Sequence, residues 1–153
     1  HIYGESHPDV ATSYNKFGAC YKSQGKYDDA LSYYKKCLAI QLNIFGENHP
    51  DLATSYNNIG ASYKIKGEYD KAIEYYKKAL QIHLKTSGEN NPSTATTYNN
   101  IGTSFNKKGQ YDNAIEYKKK SLQILLKTFG ENHPCTINIK DELEIVKKLN
   151  WKF

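Results

Sequence analysis

A 42-residue period constrains this chain more than any other property of its sequence. Residues 7–48 read HPDVATSYNKFGACYKSQGKYDDALSYYKKCLAIQLNIFGEN, residues 49–90 read HPDLATSYNNIGASYKIKGEYDKAIEYYKKALQIHLKTSGEN, and residues 91–132 read NPSTATTYNNIGTSFNKKGQYDNAIEYKKKSLQILLKTFGEN. A unit of this size cannot bury its apolar face alone, so its repetition implies a stack in which each copy covers the next. The core is then distributed between neighbours. Residues 1–6 read as the end of a preceding repeat, because Tyr3-Gly4-Glu5-Ser6 matches Phe45-Gly46-Glu47-Asn48 and Phe129-Gly130-Glu131-Asn132. The chain is therefore expected to be a piece of a longer protein. Residues 133–153 begin a fourth copy with His133-Pro134 but lose the pattern, as a degenerate repeat or capping helix does.

Each copy predicts two antiparallel helices. Leu52, Tyr56, Ile59 and Tyr63 recur at steps of four, three and four, which places them on one helical face, and Val10, Tyr14, Phe17, Tyr21 and Thr94, Tyr98, Ile101, Phe105 repeat the stripe. Pro8, Pro50 and Pro92 suit the first helical turn, where a missing amide costs nothing, and Gly25, Gly67 and Gly109 supply the C-terminal turn. The second helices open on Tyr27-Asp28, Tyr69-Asp70 and Tyr111-Asp112, with acid at the positive end of the dipole. Small residues at Gly18, Gly60, Gly102 and at Ala30, Ala72, Ala114 predict close helix approach. In the last segment Ile139, Leu143, Val146 and Leu149 form one stripe, so a polar outer face is expected there. The chain is read as all-α, with no strands.

Composition excludes several classes. No apolar run approaches the roughly 18 residues needed to span a bilayer. Cys20, Cys37 and Cys135 are odd in number and never closely paired, which argues against a disulfide framework or a zinc site and for a reducing, cytoplasmic setting. His7, His49 and His133 are too far apart for one metal site and are read as helix-start residues. No phosphate-binding loop, metal-ligand spacing or nucleophile-base-acid set is present, so neither a cofactor nor a catalytic residue is assigned and the chain is read as a non-enzyme. The net charge of +5 is spread through alternating Lys and acidic residues, and Lys35-Lys36, Lys77-Lys78 and Lys118 to Lys120 are read as solvated outer face. Lys118 stands where Tyr34 and Tyr76 stand in the other copies, a position expected to have less stacked against it in the last full repeat.

With Gly60, Tyr63, Gly67, Tyr69, Ala72, Tyr76 and Ala79, the Tyr-Asn-Asn-Ile-Gly segment at Tyr56 to Gly60 and the GENHP connector in place, the sequence resembles tetratricopeptide repeats, specifically the 42-residue kind of kinesin light chains. The resemblance covers 7–132 almost without gaps. It implies a right-handed α-solenoid whose first helices line a concave groove, and a scaffold function in which that groove binds an extended peptide segment of a partner. Carried over by position, the groove presents Thr12, Asn15, Ala19 and Lys22, then Thr54, Asn57, Asn58, Ala61 and Lys64, then Thr96, Asn99, Asn100, Thr103, Asn106 and Lys107. In kinesin light chains the asparagine matching Asn15, Asn57 and Asn99 faces cargo peptide. The chain departs from chaperone-binding repeats, since Asn15, Ala19 and Thr96 stand where the carboxylate-gripping cations would be.

A side-chain amide carries both donor and acceptor, so an asparagine row can hydrogen-bond a peptide backbone whatever its sequence. The competing reading is that these asparagines, Asn58 and Asn100 above all, pair with neighbouring helices. Lys22, Lys64 and Lys107 bias the groove toward acidic segments, and Ala19 and Ala61 leave room for an apolar anchor. Tyr33, Tyr75 and Tyr117 lie beside the core stripe and are open to a partner. Two alternatives stand beside peptide binding. One is a self-assembling array or the sensor-type repeat domain of a larger protein, with weak head-to-tail association. The other is RNA binding, which the identity of Asn15, Asn57 and Asn99 opposes because base-reading repeats vary their reading residues.

Overall fold

Every first helix begins at a proline that follows a side chain able to cap it. In the computed structural model, which describes residues 7–152, His7 and His49 each accept at Nδ1 the backbone N–H two residues on, both at 3.1 Å. Asn91 does the same through Oδ1 at 2.8 Å and His133 through Nδ1 at 3.2 Å. The recurring histidines are thus N-caps, each satisfying one of the orphan amides of a helix start. The segment 1–6, read as the end of an earlier repeat, lies outside the described residues.

Among the described residues seven helices result: α1 (Pro8–Ser23), α2 (Tyr27–Phe45), α3 (Pro50–Ile65), α4 (Tyr69–Thr86), α5 (Pro92–Lys107), α6 (Tyr111–Phe129) and α7 (Pro134–Lys152). No strand occurs among the described residues. The turns between partners of a pair use glycine where the backbone must turn left-handed, as at Gly67, φ 83°. The chain divides into two compact units, His1–Ile82 and His83–Phe153, with the division inside α4.

In the first unit the pairs close on glycine. A Cβ built on Gly18 would come within 2.7 Å of the Tyr34 ring, and one on Gly60 within 2.9 Å of the Tyr76 ring. Ala30 and Ala72 are fully buried at the same crossings. Tyr33 stacks on Tyr21 with ring centroids 5.4 Å apart, and Tyr75 on Tyr63 at 5.6 Å. Lys36 and Lys78 lie over Tyr33 and Tyr75 at 5.0 and 5.1 Å. These tyrosines therefore serve their own helix pair. The pairs are joined where α2 covers α3: Lys35 Nζ donates to the Tyr63 hydroxyl at 2.6 Å, and Cys37 Sγ lies 3.8 Å from Ser55 Oγ. Ile59 is wholly buried on that face, whereas its counterpart Phe17 on α1 is 50% exposed.

In the second unit Ala95, Ile124, Leu125 and Ile139 form a core with Tyr98 and Leu122 against it. Ser121 Oγ donates to the Ala95 carbonyl at 2.7 Å, and Asn150 Nδ2 to Asp112 Oδ1 at 2.9 Å, tying α5 to α6 and α7 to α6. Two expectations are corrected here. Lys118 is not on a solvated outer face and is not thinly covered: its side chain is only 2% exposed, because it runs inward beside Gly102 at the crossing where the other pairs hold a tyrosine ring. Lys119 and Lys120 are exposed as expected. The outer face of α7 is also less polar than its stripe implied. Ile139, Leu143 and Val146 are buried, while Ile137, Ile145 and Trp151 remain exposed among lysines. Position 137 lies two residues from 139, roughly 200° round the helix and so on the opposite side.

Gly60→Ala should force the Tyr76 ring or the α3–α4 spacing to shift and cost about 1–3 kcal/mol, read as a lower urea midpoint. A cost near zero would mean that the pair is not held at this spacing. Cys20 and Cys135 are exposed and Cys37 is buried, so a thiol reagent should titrate two cysteines rapidly in the native protein and the third only on unfolding. Three rapid equivalents would contradict the α2–α3 packing.

Candidate functional site

The first helices carry their polar side chains in rows. Thr12, Asn15, Ala19 and Lys22 share one face of α1, and Thr54, Asn57, Ala61 and Lys64 repeat that face on α3. Within the first unit Asn58 Nδ2 donates to Asn15 Oδ1 at 3.1 Å, so these two amides bridge neighbouring helices. Thr12, Asn15 and Thr54 line one cleft of about 150 Å³. Its other walls are Cys37 and Gln41 of α2 and Asp51 and Ser55 of α3, none of which the sequence had marked as a site residue. Ser55 Oγ donates to Gln41 Oε1 at 2.5 Å. Burial pushes the Cys37 thiol above its usual range; the Ser55 hydrogen bond opposes this and the Asp51 charge adds to it.

Around that cleft, the first turns of α1 and α3 hold Asp9 and Asp51 and the last turns Lys22 and Lys64. The amides sit between an acidic and a basic end. Thr12 donates its hydroxyl to the Pro8 carbonyl at 3.1 Å, which leaves its oxygen to act as an acceptor. Ala19 is exposed, and Asn57, Ala61 and Lys64 are half-buried, with Lys64 Nζ 6.0 Å from the centre of the Tyr76 ring.

The second unit brings Asn99 and Thr103 together through a group the sequence had placed elsewhere. Lys118 Nζ donates to Asn99 Oδ1 at 2.8 Å, to Thr103 Oγ1 at 3.1 Å and to Glu142 Oε2 of α7 at 2.6 Å. Glu142 Oε1 in turn accepts from Asn138 Nδ2 at 3.0 Å. Asn100 and Asn106 are half-buried, and Thr96 and Lys107 exposed. Thr96 donates back to the Pro92 carbonyl at 3.0 Å. A larger cavity of this unit, about 280 Å³, lies off the expected face, among Tyr98, Lys120, Gln123 and Lys127. Lys118 and Glu142 had one available signal: they break the period together, lysine for Tyr34 and Tyr76, glutamate for Asn58 and Asn100.

Among the described residues no group of three His, Cys, Asp or Glu could hold a metal ion, and no helix is long and apolar enough to cross a membrane.

The sequence matches the tetratricopeptide repeat family over residues 9–85, 51–127 and 93–147, and the chain belongs to that family. Its fold is similar to BtubC (BKLC) from P. vanneervenii, with 25% identity and a TM-score of 0.87 over 96% of this chain and 59% of that one. It is similar as well to a putative kinesin light chain of Podosopora anserina with nearly identical TPR-like repeats, at 22% identity and a TM-score of 0.84 over 98% of this chain and 71% of that one. A third similar structure is the TPR2AB-domain:pHSP90 complex of yeast Sti1, at 21% identity and a TM-score of 0.73 over 95% of this chain and 49% of that one. The chain thus spans 59% of the length of BtubC. Among curated proteins, none matches the sequence. The fold is the all-α helix-pair repeat, which generally serves as a protein–protein interaction scaffold.

The Lys118 network makes a stability prediction. Glu142→Ala leaves the ammonium without its carboxylate and should cost about 1–2 kcal/mol, less than a fully buried pair because Glu142 is 36% exposed and water can reach the vacated place. Lys118→Met removes the charge together with its need for a partner and should stay within about 1 kcal/mol of the parent. Denaturant curves in which Lys118→Met is the worse of the two would reverse this account.

Proposed function

We propose that the chain is a non-enzymatic scaffold, acting in the cytoplasm, that binds an extended peptide segment of a partner protein along its first helices, with acidic side chains favoured. The observation that carries this reading is the α1–α3 face: a polar cleft lined by Thr12, Asn15 and Thr54, with Lys22 and Lys64 in the last turns of the same two helices. Amides and hydroxyls there offer acceptors and donors to a peptide backbone, and the two lysines offer charge to its carboxylates. The hydrogen bond from Asn58 holds the Asn15 amide, which lines the cleft together with Thr54. The likeness in fold to a Sti1 domain in a complex with pHSP90 supports a protein-derived ligand.

The test is to select binders from a peptide library rich in Asp and Glu and to compare the parent with a Lys22→Ala, Lys64→Ala variant and with Asn57→Ala, after checking by circular dichroism that each is folded. The lysine variant should bind about tenfold more weakly and lose most of the salt dependence, since half-buried cations at the surface still act through charge that salt screens. Binding by both variants equal to the parent's would remove the first helices from the mechanism.

Weak self-association is the second reading, favoured by the exposure of Phe17 at a position whose counterparts Ile59 and Ile101 are fully buried. Light scattering over a concentration series should then show mass rising for the parent and not for Phe17→Lys. A constant mass for both would dismiss it.

A further inference from the structure

The Lys118 ammonium is a feature of the second unit that neither repeat packing nor the peptide row requires. At the same position Tyr76 fills the crossing with a ring that is fully buried. Lys118 instead passes through the crossing and delivers its charge to Asn99 and Thr103, two side chains of the first-helix face. Its three protons are directed at two neutral oxygens and one carboxylate, and only the carboxylate neutralises it. That carboxylate, Glu142, is 36% exposed and stands on the solvent side of a side chain that is 2% exposed. Its other oxygen is held by Asn138, an exposed residue of the same helix. Glu142 is thereby bound as a ligand carboxylate would be, by an ammonium on one oxygen and an amide N–H on the other.

We propose that Lys118, Asn99, Thr103 and Asn138 form a carboxylate-binding site and that Glu142 occupies it as a built-in stand-in, displaced when a partner's carboxylate enters. The inference rests on the peptide reading above and adds to it a defined subsite and a competitor. The ligand is a carboxylate, either an acidic side chain or a chain terminus. Because an intramolecular competitor lowers apparent affinity by the fraction of time it vacates the site, an occupancy of nine-tenths by Glu142 means that neutralising it raises affinity about tenfold. Glu142→Gln keeps an acceptor for Lys118 while removing the competing charge.

Binding is measured by fluorescence anisotropy on the full chain with two labelled probes: a hexapeptide of alternating Glu and Ala with an amidated C-terminus, and an Ala-Gly hexapeptide with a free C-terminus. Glu142→Gln should bind one or both about tenfold more tightly than the parent, and the probe that gains identifies the source of the carboxylate. Adding Lys118→Met should abolish the gain. If parent and Glu142→Gln bind the acidic probe equally, the stand-in is overturned while the peptide reading survives through Lys22 and Lys64. If neither protein binds either probe, both readings fall. A second measurement uses the unaltered protein: saturation with the probe that binds should move the side-chain carboxyl ¹³C resonance of Glu142, and an unmoved resonance under saturation overturns the proposal.

Discussion

A tyrosine ring lying on a residue without a side chain sets the spacing from which the rest of the first unit follows. With Tyr34 against Gly18 and Tyr76 against Gly60, the two helices of each pair approach until a single methyl group would collide with the ring. At that distance Tyr33 and Tyr75 can stack on Tyr21 and Tyr63, and Lys36 and Lys78 can lie over those rings. On α3, α2 reaches Tyr63 through Lys35 and Ser55 through Cys37. Packing of this kind is steric and apolar, so it repeats wherever the same few residues repeat.

That is why so much of the fold could be read from the sequence. The helix starts, the glycine turns and the core stripes depend on residues close in the chain, and the period repeats each inference three times. Even the histidines could be placed at helix starts, although their use of Nδ1 as a cap needed coordinates. What failed depended on neighbours. Lys118 looked like one more outer lysine beside Lys119 and Lys120 because a charge run normally marks solvent, yet its surroundings on α5 and α7 draw it inside. The stripe of Ile139, Leu143, Val146 and Leu149 implied a polar outer face on α7, and the helix leaves Ile137, Ile145 and Trp151 on the outside instead.

The candidate site was legible as a row of positions and not as a set of contacts. The resemblance, carried over by position, set Thr12, Asn15 and Thr54 in one row, and the structure puts all three on the walls of one cleft. Counting could not reveal that Asn15 and Asn58 hold each other, that Asn99 is engaged from behind by a lysine, or that Gln41 and Ser55 build the cleft wall. Hydrogen bonds join residues 43, 19 and 14 positions apart in those three cases, and no local rule of pattern reaches so far. The asparagines consequently serve the helix stack first, and a bound segment would meet a surface whose amides are already oriented.

A periodic surface has a weakness as a recognition device. A peptide laid along rows as alike as those of α1 and α3 finds the same partners after sliding by one repeat, so both alignments would have nearly equal energy. Departures from periodicity lower that degeneracy: Thr103 and Asn106 replace the alanine and lysine of the row, and no other copy carries a lysine where Lys118 stands or a carboxylate where Glu142 stands. One odd pair in a repeating array marks phase, much as a single polar residue fixes the alignment of a coiled coil. Whatever lies along these helices would then be read from a fixed origin.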